Sequence, residues 1–183
     1  LLPVALPNLS RISTMKKSNG KNAWPTVSLF GIYALATSTW AATIESSSCS
    51  QADVQAAINS ASDEDTVTVP SGVCTWSTGF SINKGIHLKG AGSSNVTINM
   101  GGTLTLNKNP SYNVRLSGFT FNRSGGGNSF KVLVVTGAWS AQPPLIHDNV
   151  FNISGSGTIL YTTNGGVIFN NVFNGDWDDS SIQ

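Results

Sequence analysis

Two stretches of this chain, "PLIHDNVFN" at residues 144–152 and "GVIFNNVFN" at 166–174, write one phrase twice. Aligned without gaps at an offset of 22 residues, they set Ile146 on Ile168, Asp148 on Asn170, Asn149 on Asn171, Phe151 on Phe173 and Asn152 on Asn174. An earlier copy, "VRLSGFTFN" at 114–122, sets Leu116 on Ile146, Gly118 on Asp148, Phe121 on Phe151 and Asn122 on Asn152; "IHLKGAG" at 86–92 is a fainter fourth. The apolar centres Leu88, Leu116, Ile146 and Ile168 stand 28, 30 and 22 residues apart. Strand cores that recur while their connections change length are the mark of stacked repeats, whose insertions fall in loops.

Each unit reads as an apolar strand, a tight corner at Gly118-Phe119, Asp148-Asn149 or Asn170-Asn171, a second strand centred on Phe, a loop and a third strand. The third strands read as "TVTV" (66–69), "TLTLN" (103–107), "KVLVVT" (131–136) and "TILYTT" (158–163). Three short strands in a turn of about 22 residues or more match a parallel β-helix, in which each strand pairs with its equivalent one coil away at about 4.8 Å. Roughly four coils are expected, with Phe121, Phe151 and Phe173 stacked in one interior column. Asn149 and Asn171, turned inward at the corners, would form a ladder that satisfies buried backbone groups of their own turn and the next. A β-sandwich also has many short strands, but it would not repeat a three-strand phrase, and only Asn164-Gly165 carries a two-residue hairpin signature.

Composition agrees with a β-rich chain: 39% of residues are hydrophobic, only 10% are charged and 19 are glycine, with Val and Ile in short runs among Asn, Ser and Thr. The first 42 residues follow another chemistry. Met15 is followed by Lys16, Lys17 and Lys21, then by the apolar "VSLFGIYALA" (27–36) and the small residues of "TSTWAA" (37–42). Residues 15–41 read as a secretory signal peptide cut after Ala41, and 1–14 as upstream sequence translated into the reading frame. The apolar run is about half of the roughly 20 residues a membrane span requires, so no membrane association is expected once the leader is removed.

Removing the leader leaves six basic residues against nine acidic ones. Lys84, Lys89, Lys108, Arg115, Arg123 and Lys131 are scattered singly, which disfavours a nucleic-acid partner. Cys49 and Cys74 both fall in the exported part, where an even count reads as one disulfide. Between them "SQADVQAAINSA" (50–61) places Val54, Ala57, Ile58 and Ala61 at helical spacing behind Ser50 as N-cap. Residues 42–65 are read as an N-terminal cap with that helix, and 66–183 as the first coils.

The stretch "SCSQADVQAAINSASDEDTVTVPSGVCTWSTGFSINKGIHLKGAG" (48–92), with the corners that follow, resembles the start of the secreted bacterial proteins of the pectate-lyase-like superfamily. The resemblance covers 48–183. It implies an all-β right-handed parallel β-helix whose short α-helix caps the first strand edges. It also implies a polysaccharide ligand, often acidic and pectin-like, lying along the third-strand sheet and its flanking loops. Such polymers are cleaved by lyases using bound calcium and an Arg or Lys base, or by hydrolases using paired Asp residues.

The chain offers little for either chemistry. Asp148 occupies a corner position shared with Gly118 and Asn170, a turn role; His87 and His147 flank strand cores without a triad partner and read as surface or turn residues. The exception is "GDWDDSS" (175–181), where Asp176, Asp178 and Asp179 suit Ca²⁺ and Trp177 suits the apolar face of a sugar; a solvated acidic loop is the plainer reading. Arg123 and Lys131 complete the candidate polysaccharide contacts. An enzyme and a non-catalytic surface or adhesion module both remain open. By the spacing of the earlier units, Ile182 begins another third strand, so the chain is expected to stop in mid-coil, with catalytic residues of an enzyme downstream.

Overall fold

The computed structural model of this protein describes residues 40–124, 131–138, 140–154, 158–163 and 165–175. The leader read over 15–41 therefore lies outside the described residues except at its end, as do residues 1–14, Asp176, Trp177, Asp178, Asp179 and Ile182; the side chain of Lys131 does too.

Chain order begins with β1 (Thr43–Glu45) and α1 (Gln51–Ser60). A first coil follows, of β2 (Thr66–Val69), β3 (Gly72–Trp76) and β4 (Phe80–Ile82), then a second of β5 (His87–Gly90), β6 (Val96–Met100) and β7 (Leu104–Asn107). The third holds β8 (Arg115–Ser117), β9 (Thr120–Ser124) and β10 (Lys131–Thr136), the fourth β11 (Leu145–His147), β12 (Val150–Ser154) and β13 (Thr158–Thr162), and the fifth β14 (Val167–Phe169) and β15 (Val172–Gly175). Each strand pairs in parallel with its equivalent one coil away, making three sheets: β1-β2-β5-β8-β11-β14, β3-β6-β9-β12-β15 and β4-β7-β10-β13. Over the described residues the chain is a parallel β-helix with one short capping helix, the architecture expected from the repeats.

Register explains why the phrase recurs. Val67, Leu88, Leu116, Ile146 and Ile168 are successive partners along the first sheet. Cys74, Ile98, Phe121, Phe151 and Phe173 follow one another along the second, and Phe80, Leu104, Leu133 and Leu160 along the third. These columns point inward, because alternate strand residues face opposite sides. Val67, Leu88, Ile98, Leu116, Ile146 and Phe151 are fully buried. Phe121, Phe151 and Phe173 stack face to face at 5.4 and 5.2 Å between ring centroids. Trp76, also fully buried, meets Phe80, Phe119 and Phe121 at 5.0–6.4 Å and donates its indole N–H to the Cys49 carbonyl at 3.0 Å.

Two expectations are corrected. "TVTV" is not a third strand: β2 lies in the first sheet between β1 and β5, and the third strand of its coil is β4, "FSI". In consequence the described residues make five coils rather than four, the fifth through its second strand. The paired inward residues of β10 and β13 are Leu133 and Leu160.

The cap is built from local rules. Ser50 accepts the Asp53 N–H at 3.2 Å, the N-cap bond that starts α1, and Val54, Ala57 and Ile58 form its buried face. At the other end Lys84 donates to the carbonyls of Ile58, Asn59 and Ala61 at 2.5–3.0 Å, placing a cation where the helix dipole is negative. Cys49 and Cys74 are disulfide-bonded, Cα to Cα 5.8 Å, fastening the segment before α1 to β3. Corners have a backbone rule of their own. Gly118, Asp148 and Asn170 occupy one position in successive coils, with φ of 80°, 55° and 52°, a left-handed turn that Gly, Asp and Asn tolerate best. Gly90 lies so close to Gly118 that a Cβ on it would stand 2.2 Å from the Gly118 carbonyl oxygen.

Candidate functional site

Each inward Phe of the second sheet is followed by an outward Asn. Asn99, Asn122, Asn152 and Asn174 fall in register across β6, β9, β12 and β15. Their amides link in one direction: Asn122 Nδ2 donates to Asn99 Oδ1 at 3.3 Å, Asn152 Nδ2 to Asn122 Oδ1 at 2.8 Å, and Asn174 Nδ2 to Asn152 Oδ1 at 2.8 Å. An amide has two donor hydrogens and two acceptor lone pairs. A rung within the ladder therefore keeps one donor and one acceptor site for an outside partner.

The ladder lines an open cleft of about 510 Å³, bounded by Thr75 and Met100 of the first two coils and by Ser124, Ser154 and Gly175 of the later ones. Arg123 also lines it. Its side chain turns inward, is 8% exposed, and donates from Nη1 to the Gly102 carbonyl at 2.8 Å; loss of water around the guanidinium lowers its pKa from the ordinary value. The strand alternation of "TFNRS" thus places Asn122 outside and Arg123 against the wall. Lys131 opens β10, on the third sheet and not on the second. Among the described residues no group of three or more His, Cys, Asp or Glu is placed to hold a metal ion. The Ca²⁺ ligands read at Asp176, Asp178 and Asp179 lie outside the described residues.

Asn149 and Asn171 form a second, interior ladder at the corner between the first two sheets. Asn149 Nδ2 donates to the carbonyls of Leu116 (3.1 Å) and His147 (2.8 Å), while its Oδ1 accepts the Phe119 N–H at 3.2 Å. Asn171 repeats the pattern toward Ile146 and Phe169 and accepts from both the backbone and side chain of Asn149. In the third coil the buried Phe119 takes this place, so among the described coils the ladder spans the fourth and fifth.

On the outer face of the first sheet, His87 Nε2 lies 2.7 Å from Ser117 Oγ, and His147 Nδ1 lies 2.6 Å from Asp148 Oδ2. His147 stacks on Phe169 at 4.8 Å and sits 6.0 Å from His87 between ring centroids. Burial, then the charges of Arg115, His147 and Lys89, push the His87 pKa from 6.5 down to about 4. Asp148 is held below its ordinary value by its hydrogen bonds from His147 and Asn170. Both histidines are thus partly sheltered in side-chain contacts rather than free on the surface, and the corner geometry of Asp148 accounts for its position.

No helix among the described residues is long and apolar enough to cross a membrane. The chain matches no family model, no curated protein and no solved structure.

Proposed function

We propose that this protein is an exported β-helix that binds polysaccharide in the cleft over the second sheet, with the sugar chain running along the solenoid axis. One observation carries the reading: the outward ladder Asn99–Asn122–Asn152–Asn174 lines an open cleft. Rungs one coil apart repeat at about 4.8 Å, near the length of one hexopyranose unit, so successive sugars meet equivalent amides. Amides and the hydroxyls of Thr75, Ser124 and Ser154 present both donors and acceptors, the mixture that sugar hydroxyls require. Flanking Ile153 supplies apolar surface for a ring face. The cystine is compatible with an oxidising compartment outside the cytosol.

Binding rather than turnover is the reading because Arg123 is the only titratable side chain among the described cleft residues, and it is tied to Gly102. The test is retention on a panel of neutral and uronate-containing polysaccharides by affinity electrophoresis, followed by titration calorimetry on any polymer retained. Asn122→Ala and Asn152→Ala should each weaken binding by about fivefold, since a neutral hydrogen bond is worth roughly 1 kcal/mol. Failure of every polymer to bind, or variants that bind as the parent does, overturns the assignment.

A further inference from the structure

Asp65, in the turn before β2, is 7% exposed. Its Oδ1 accepts the Ala42 N–H at 2.7 Å and its Oδ2 accepts the Ser62 N–H at 2.7 Å. The Ala42 carbonyl in turn accepts the Thr66 N–H at 2.8 Å, the first rung joining β1 to β2. A carboxylate this buried is normally matched by a cation. Among the described residues the one ion pair is that of His147 with Asp148; Lys84 acts on Asp65 only through space, its ammonium being hydrogen-bonded to the carbonyls at the end of α1. The Ala42 nitrogen already touches this carboxylate, and it is neutral while it remains a peptide amide. Trp40 is 87% exposed, Ala41 and Ala42 are exposed, and the three line a cleft of about 180 Å³ with Ser62, Asp63 and Asp65. The small residues of "TSTWAA" place the expected leader cleavage at the bond next to that nitrogen.

We propose that Ala41–Ala42 is the processing site of this protein, and that the ammonium released on Ala42 forms an ion pair with the sheltered carboxylate of Asp65 that locks β1 and the cap onto the first coil. A leader peptidase adds water across the bond: the C–N bond breaks, the Ala41 carbonyl carbon gains the hydroxyl oxygen and becomes a carboxylate, and the Ala42 nitrogen takes up protons to become an ammonium. The hydrogen bond already present at 2.7 Å becomes charge-assisted without movement of either atom. The proposal rests on export and not on the ligand of the cleft.

The full chain is expressed with its leader in an exporting bacterial host, and the product is examined by intact mass and N-terminal sequencing; Ala42 is the expected first residue. Acylation of its α-amine is then followed by peptide mass spectrometry against pH, in the folded protein and in urea. An amine paired with Asp65 titrates above the ordinary value of about 8, and near neutral pH reacts about tenfold more slowly for each pH unit of that rise. Burial without a partner would move it the other way. Asp65→Asn should return the profile to that of the unfolded chain. A different N-terminus refutes the processing site; a folded profile shifted downward or unshifted, or one unchanged by Asp65→Asn, refutes the ion pair. Should that variant fail to fold, the folded and unfolded profiles of the parent still decide the direction.

Discussion

Phe151, inside the coil on the second sheet, and His87, outside it on the first, predict opposite behaviours. Phe151 is fully buried between Phe121 and Phe173. Truncating such a ring leaves a cavity that stiff neighbouring coils cannot close, so Phe151→Ala should cost about 3–5 kcal/mol in urea unfolding; a loss below about 1 kcal/mol would mean the column is not close-packed. His87, partly buried on the outer face, is held neutral to about pH 4. Above pH 6.5 it is neutral in both folded and unfolded chains. Between pH 6.5 and about 4 the unfolded chain takes up the proton first, so this residue's contribution falls with falling pH through that window and levels off below it. The urea midpoint of the parent should therefore drop more between pH 7 and 5 than that of His87→Asn; parallel curves would show that His87 titrates normally. The Phe column was legible because alignment of the repeats superposed its members. Asp148 was legible for the same reason: Gly118 and Asn170 in its column announce a left-handed turn. The Ala42–Asp65 contact was not legible, since it joins residues across a whole helix and no residue type announces it.

Single elements show why the sheets were harder to assign than the residues. "TVTV" and "TLTL" carry the same alternation, and alternation reports which face is buried, not which sheet a strand enters. Connection length decides that: β3 and β4 follow β2 closely enough to complete the coil, but β3 mixes Gly, Cys and Thr with an outward Val73, and β4 is only 3 residues long. The outward ladder was half legible: Asn122, Asn152 and Asn174 stood in one aligned column, but Asn99 follows Ile98 where the others follow Phe, so the phrase was not matched. Its inward counterpart gives the sharpest test at this scale. Asn149→Ala strips partners from the Leu116 and His147 carbonyls and the Phe119 N–H, and buried groups without partners cost about 1–3 kcal/mol. Asn149→Asp keeps the shape and the acceptor but removes the donors. It should therefore restore less than half of the loss, measured by thermal unfolding; full restoration would mean the ladder acts through shape alone.

Across the described solenoid each strand pairs only with its equivalents in adjacent coils, so most of the stability is a sum of coil and interface terms rather than one indivisible quantity. Different devices act at the two limits of the described coils. At the first coil α1, the disulfide and Lys84 cover the apolar interior; in the fourth and fifth, corner amides and stacked rings link one coil to the next. Removing one device should therefore loosen the coils it joins. Replacing Cys49 and Cys74 by Ser removes a cross-link over a sequence separation of 25, worth roughly 3 kcal/mol by the chain-entropy account. Hydrogen exchange should then quicken in β2, β3 and β4 while amides in β11 and β12 keep their protection, and Asn149→Ala should give the mirror image. Intermediate coils carry the distinction, because Trp76 reaches Phe119 and Phe121 two coils away and ties the first coil to the third. The cysteine variant should accordingly show a graded loss that fades by the fourth coil. Equal loss of protection in all coils in both variants would show instead that the described solenoid opens as one cooperative unit, and that the aromatic interior transmits a local defect along its whole length.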